Sequence, residues 1–237
     1  MKTLTGIARL TPTISILILL AAPSAAFATA KVGVSVFGGY QTYTMSDIND
    51  ELISPINALL LGTGFKMDEI SSGAGYGGGI RVRTEGNLVI GLDYNRLIGG
   101  TDLTAPGGTF KFDAPADAIT GTVTYLFPSA SKARFGLGGG VGFYMADAVA
   151  SLYDSGTSSY VESNLKGDGF GLHGLGAMDV TLSPAVHADL SVGYRYAKTT
   201  DLESEGVKIV KSNGDDATLD WSGFMSQAGL SFYFGAK

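Results

Sequence analysis

The sequence predicts an all-β fold: an eight-stranded antiparallel up-and-down barrel, with lipid outside and a polar interior. Three observations predict it. First, apolar and polar residues alternate with period two, the repeat of a strand. In Val186–Tyr196, one phase holds Val186, Ala188, Leu190, Val192, Tyr194 and Tyr196, and the other holds His187, Asp189, Ser191, Gly193 and Arg195. Leu88, Ile90, Leu92 and Tyr94 likewise oppose Val89, Gly91, Asp93 and Asn95. Second, eight such segments are separated by connections that alternate between short and long, the layout of outer-membrane barrels. Third, one phase of each segment lacks Asp, Glu, Lys and Arg, whereas a soluble antiparallel sheet needs only one apolar face for its core. A midplane Arg or Lys facing lipid costs about 2–4 kcal/mol.

Residues 1–30 read as a secretory signal peptide. Lys2 and Arg9 give a basic start, 14–22 is apolar apart from Ser15, and Pro23 breaks the run. Small residues then set cleavage after Ala28 or Ala30. The apolar run falls short of the ~20 residues a spanning helix needs. The barrel domain is then 31–237.

The expected strands are 32–44, 73–84, 88–98, 116–127, 134–145, 168–182, 186–197 and 218–234. Tight turns lie at 85–87 and 183–185, with a slightly longer one at 128–133. The long connections are 45–72, 99–115, 146–167 and 198–217. An even strand count puts both termini on the short-turn, periplasmic side.

The expected outward residues include Val32, Val34, Val36 and Tyr40 in the first strand, and Ile119, Val123, Tyr125 and Phe127 in the fourth. Leu230, Phe232 and Phe234 continue the set in the last strand. Trp221 and Phe224 cannot share a face under strict alternation, so a bulge is expected near Ser222-Gly223. Aromatics gather toward segment ends, as interfacial girdles would. The 35 glycines, with runs such as Gly77–Gly79 and Gly138–Gly140, suit strands that curve in a narrow barrel. Those runs lack the Lys-Ser/Thr of a phosphate loop. There is no cysteine, so a closed hydrogen-bonded barrel must hold the exported chain together.

The first long connection is the most individual. Ser46 or Asp47 reads as a helix cap, with acids in the first turn. Ile48, Leu52, Ile53, Ile56, Leu59 and Leu60 recur at helical spacing, so a short amphipathic helix with that apolar face is expected. Pro55 should split it, with Ser54 capping the second turn, and Gly62-Thr63-Gly64 should end it. The helix either caps the barrel mouth or forms a lid over a small apolar pocket. Thr109–Phe112 extends the fourth strand beyond the membrane. The fourth connection is acidic and solvated; a divalent-cation bridge to lipopolysaccharide is its alternative role.

On these patterns the chain resembles the small outer-membrane β-barrel proteins: the transmembrane domain of outer membrane protein A, outer membrane protein X and the W-type barrels. Its motif-like piece is the last strand, Gly229-Leu230-Ser231-Phe232-Tyr233-Phe234, followed by Gly235-Ala236-Lys237. The resemblance implies that this aromatic-ended strand is the signal to the barrel-assembly machinery. It also implies outer-membrane lipid and lipopolysaccharide as surroundings, in a Gram-negative envelope.

The inward phase collects Arg81, Arg83, Asp93, Arg134, His173, Asp179, His187, Asp189 and Arg195. An eight-stranded barrel is too narrow for a wide channel, so these charges must pair. They form either a salt-bridge plug or a gate. Arg81 or Arg83 with Asp93 is one expected pair. Asp179, Asp189 and His187 need a cation that Arg195 or Arg134 supplies.

No catalytic residue, metal site or cofactor is assigned. Some outer-membrane barrels modify lipid A with a His-Ser pair, but neither histidine has a serine two residues on to share its face. Two histidines and no cysteine give little for a transition metal. The formal net charge of −6 and the lack of a basic stripe argue against nucleic acid. The reading is a monomeric, non-enzymatic, porin-like barrel that supports the envelope or contacts ligands and surfaces through its long loops. Its alternatives are a narrow pore or hydrophobic-compound conduit gated by the first loop, and then a lipid-modifying enzyme. A ten-stranded barrel is the structural alternative.

Overall fold

The computed structural model of the chain describes residues 30–85 and 87–234. Residues 1–29 of the expected signal peptide, Gly86 and the last three residues lie outside them. Eight strands form a closed antiparallel ring: β1 (Lys31–Thr42), β2 (Ser72–Arg83), β3 (Leu88–Ala105), β4 (Gly108–Leu126), β5 (Ala133–Asp154), β6 (Ser159–Thr181), β7 (Val186–Ser204) and β10 (Gly223–Phe234). Each pairs with its sequence neighbour, and β10 closes on both β1 and β7. Two short strands, β8 (Val207–Lys208) and β9 (Leu219–Asp220), pair with the end of β7. Closure leaves no edge within the membrane, and lipid demands that.

The register puts the expected apolar set outside. Val34 lies between Ile80 and Phe232, Ile80 pairs in turn with Leu92, and Ile90 with Val123 continues the surface one step along. Ile119, Leu137, Val141, Phe170, Leu172 and Val192 are exposed on the same surface. Aromatic pairs mark the two rims: Tyr125–Phe127 at the periplasmic end, Tyr194–Phe224 and Phe143–Phe170 at the outer one.

Three sequence expectations are corrected. The connections 99–115 and 146–167 are mostly strand. β3 and β4 run on to a tight turn at 106–107, and β5 and β6 to one at 155–158. β7 likewise continues to Ser204. β5 alone has 22 residues, about 70 Å of chain against a ~25 Å apolar belt. The sequence criterion demands an apolar outward face, but above the lipid that face meets water. Asp102, Lys111, Glu162 and Lys166 therefore sit in regular strands. The fourth-strand extension at Thr109–Phe112 is present. The barrel thus has a low wall, β10–β1–β2, and a tall one, β3–β7.

Second, there is no inserted residue near Ser222-Gly223. Lys198 pairs with Asp220 and Arg195 with Gly223, in one unbroken register. Trp221 simply faces inward and Phe224 outward, so the two need not share a face. The register shift falls instead between β6 and β7 at Lys166/Asp168. Asp201, opposite it, takes a left-handed φ of 52°.

Third, the first loop is helical but capped differently. It runs α1 (Ser46–Ile48), a π turn (Asn49–Ile53) and α2 (Ser54–Leu59). Neither Ser46, Asp47 nor Ser54 is an N-cap. Met45 and Ile53 hold those places without a side-chain hydrogen bond. Pro55 does not break the path, because it lies in the first turn of α2, where no intrahelical donor is missed. The π turn adds a residue and rotates α2 relative to α1. Ile48 and Ile53 are buried and Leu52, Ile56 and Leu60 half-buried, but Leu59 is 86% exposed. Asn57 faces inward instead and exchanges hydrogen bonds with the Met67 backbone, 2.7 and 2.9 Å.

Candidate functional site

Alternation sends every second side chain of a barrel into the lumen, and all nine sequence-chosen charges point there. They separate into three levels. At the periplasmic end, Asp179 on β6 is the shared acceptor. Arg83 on β2 reaches it across the lumen with two hydrogen bonds, 3.0 and 3.2 Å. Arg134 lies 3.3 Å away on β5, and His187 Nδ1 3.1 Å away on β7. Tyr233 closes the cluster from β10: the Arg83 guanidinium stacks over its ring, and His187 meets it edge-on. Two arginines on one buried carboxylate leave no room for a wide pore here.

In mid-lumen Arg81 is 3.2 Å from Asp93, an ion pair not aligned as a hydrogen bond, while its Nε donates to Ser35 Oγ. Asp189 accepts from Ser231 Oγ. It lies beside Asp179 on the next strand, and no cation pairs with it directly among the described residues. His173 Nε2 meets Thr122 Oγ1 at 3.0 Å. Around these groups is a cavity of about 100 Å³, lined also by Asn95, Thr120 and Thr124. The buried Asn95 Oδ1 has no protein partner, so water is the natural occupant.

Arg195 departs from its expected place as counter-ion to Asp179 and Asp189. It stands at the outer level. Its Nε and Nη2 donate to the Trp221 carbonyl at 3.0 and 2.9 Å, and Nη1 donates to Gln41. Its guanidinium carbon also lies over the rings of Tyr43 and Tyr144, 5.9 and 5.8 Å from their centroids. The expected Arg83–Asp93 alternative is likewise not formed; Asp93 goes to Arg81.

Above Arg195 the mouth is filled by an apolar plug. Ile48, Ile53, Met67 and Ile70 of the first loop pack on Trp221, Leu219, Phe112 and Leu202. Alanines make room for it: Ala114, Ala116 and Ala118 on β4, Ala146 and Ala148 on β5. The fourth loop latches the plug. Asp47 accepts from Thr218 N and Oγ1 at 3.0 and 2.8 Å and lies 3.4 Å from Lys211 Nζ. Glu51 accepts from Ser212 N and Oγ. Burial alone would raise the Asp47 carboxyl, but the Thr218 hydrogen bonds and the Lys211 ammonium outweigh it and hold it below the usual range. In the fourth loop Lys208 bonds Asp216 and Asp201, which raises the ammonium well above its ordinary value and lowers Asp201.

Sequence reasoning misses Gln41, Tyr43, Tyr144 and Trp221. Gln41 and the tyrosines look like ordinary strand residues, and Trp221 lies where the alternation of the last strand is least regular. One signal is available: alanine at every second position of 114–118 and 146–150, a small-residue inward face that leaves space for a plug.

Comparison with known proteins gives one family. The model of the outer membrane protein beta-barrel domain matches residues 14–234. No curated protein matches the chain. Among solved structures, Neisserial surface protein A is 19% identical over 86% of this chain and 99% of that one, with a TM-score of 0.42. A major outer membrane protein from Thermus thermophilus is 11% identical over 87% and 100%, at 0.48. The outer membrane protein OprG from Pseudomonas aeruginosa is 13% identical over 87% and 95%, at 0.41. The family match spans nearly all of the chain, and the closed ring and uncharged lipid belt are what such a family requires: the chain belongs to the outer membrane protein beta-barrel domain family.

Proposed function

We propose that this protein is a non-conducting, non-enzymatic outer-membrane barrel whose work is done by its extracellular wall and loops. The observation that carries the reading is the double seal. The Arg83–Asp179 cluster blocks the periplasmic end, and an independent apolar plug fills the mouth. Meanwhile β3–β7 carry long regular strands far past the lipid. Material held that rigidly outside the membrane is suited to contact rather than to conduction.

The histidines also support this reading. Thr181 and Asp179 both approach Nδ1 of His187, so one imidazole nitrogen faces both groups and cannot relay between them. His173 touches Thr122, and no carboxylate orients it among the described residues. The proposal includes export through a cleaved signal peptide, insertion by the assembly machinery through β10, and a monomer in lipopolysaccharide-bearing lipid.

Conductance tests it. The protein purified from outer membranes should be silent in a planar bilayer, and deletion of residues 46–66 should leave it silent, because the periplasmic cluster remains. Discrete openings in the deletion variant would overturn the reading in favour of a conduit gated by the first loop.

A further inference from the structure

We propose that the top of the tall wall, around the β5–β6 hairpin tip, docks a cationic amphipathic polypeptide. This rests on the reading that the wall, not the lumen, carries the function.

The inner face of the wall ends in an apolar row. Leu103 pairs with Phe110, Phe110 with Leu152, and Leu152 with Val161. Strands lie about 4.8 Å apart, so the row runs roughly 15 Å across four of them. Lower on the same face, Phe112, Ala114 and Ala148 are sealed under the plug. Leu103 and Phe110 are half-buried against the plug, but the β5–β6 end of the row is open: Leu152 is 49% and Val161 62% exposed. On the outer side of the same hairpin tip, Tyr153 and Tyr160 are a second exposed pair. All four lie beyond the outer aromatic rim, where no lipid covers them. An apolar strip held open on rigid strands is a docking surface.

Charge decides the occupant. The segments beyond the outer rim, 43–71, 95–118, 145–170 and 197–222, carry eighteen carboxylates and seven Lys or Arg. The rest of the described chain carries four and six. Five of the seven outer cations are already in ion pairs: Arg96 with Asp117, Lys111 with Asp113, Lys198 with Asp220, Lys208 with Asp201 and Asp216, and Lys211 with Asp47. Three carboxylates lie at the same height of the wall: Asp102 and Glu162 on its outer face, next along the strand to Leu103 and Val161, and Asp154 at the turn between β5 and β6. Hydrogen bonds from Gly156 N and Thr157 lower the Asp154 carboxyl and keep it charged. A second copy of this chain, a polyanion and lipopolysaccharide phosphate would all meet the same negative field and be repelled. Apolar side chains against the row with Lys or Arg against its rim is the pattern that fits.

The test uses the purified protein in phosphatidylcholine nanodiscs, free of lipopolysaccharide. A fluorescent Lys/Leu amphipathic peptide, about five helical turns long, is titrated by anisotropy, with empty nanodiscs as the blank. Saturable binding above the blank is expected. The double substitution Leu152→Ser with Val161→Ser should weaken it at least tenfold, as should Asp102→Asn with Glu162→Gln. A Glu/Leu peptide should not bind. Heat-modifiable gel mobility checks that each variant is folded, and the rim pair keeps the test open if the row pair does not fold. Equal binding by the variants, by empty nanodiscs, or by a Lys/Ser peptide of the same charge would overturn the proposal, as would preferred binding of lipopolysaccharide. Conductance on the same samples separates the two readings: openings with intact binding count against the closed lumen alone, and silence without binding counts against docking alone.

Discussion

Arg83 and Asp179 meet across the lumen, from strands that are not neighbours in the ring, through two hydrogen bonds of 3.0 and 3.2 Å. Both are nearly buried, and Asp179 also serves Arg134 and His187. Removing the shared acceptor therefore strands two arginines at once. Asp179→Ala should cost about 3–5 kcal/mol, the range for breaking a buried ion pair by deleting one partner. Arg134→Met should cost about 1 kcal/mol or less, because the Arg134 side chain is 20% exposed and Asp179 keeps its other partners. Urea unfolding followed by gel mobility ranks the two variants; equal costs would mean that Asp179 is not the hub.

The latch between the first and fourth loops should fail in acid. Asp47 has a depressed carboxyl value in the fold. Its contribution is present above the ordinary value of 3.8 and is lost as pH falls through the lower folded value. Trp221, the single tryptophan, is fully buried under the plug and sits edge-on to Tyr43 at 5.2 Å. Its emission should stay constant from neutral pH down to about 4 and move to the red below that. Asp47→Asn should abolish that step and speed protease cleavage within 60–66 at neutral pH. A step near the ordinary histidine value of about 6.5 would point to a histidine instead.

Two glycines in the belt should behave oppositely. A Cβ at Gly140 on β5 would strike the Gly121 carbonyl oxygen and come within 2.8 Å of the His173 ring. At Gly174 on β6 a Cβ meets nothing within 4 Å and points toward lipid. Gly140→Ala should lower stability by about 1–3 kcal/mol, the cost of overpacking. Gly174→Ala should be neutral or slightly stabilising, since it restricts the unfolded chain. Refolding yield and urea midpoint measure both.

Much of the barrel was legible because lipid imposes a strict rule. Val34, Ile80, Val123 and Leu172 had to be apolar, and their partners in the other phase could be read as inward. Above the membrane the rule lapses. Asp102, Lys111 and Glu162 are as much strand residues as Leu92, but their outward face meets water and their alternation loses contrast. Inside the lumen, residue type identified the charges and part of the pairing: Arg81 meets Asp93 and Arg134 meets Asp179, each one of two expected alternatives. Arg83 finds Asp179 rather than Asp93 because ring closure brings β2 opposite β6, a long-range fact that no local spacing encodes. The plug shows the same limit. Ile48 and Ile53 announced an apolar face, while the surface receiving it is divided among β4, β5, β7 and the run into β10.

Arg195 gives the sharpest test of how the outer seal works. It is buried, and among the described residues no carboxylate pairs with it. The Trp221 carbonyl, Gln41 and the faces of Tyr43 and Tyr144 hold it instead. That site fits a planar fork with several donors and two stackable faces. Lysine would bring the same charge with one compact head, unable to reach the carbonyl and Gln41 while also lying over both rings. Arg195→Lys should therefore lose about 2 kcal/mol and let acrylamide quench Trp221 more strongly. Arg195→Met removes the charge along with its desolvation cost and leaves an apolar chain against the rings, so it should cost less than the lysine variant. If methionine proves the more damaging of the two, the cation itself, and not the shape of its head, stabilises the seal.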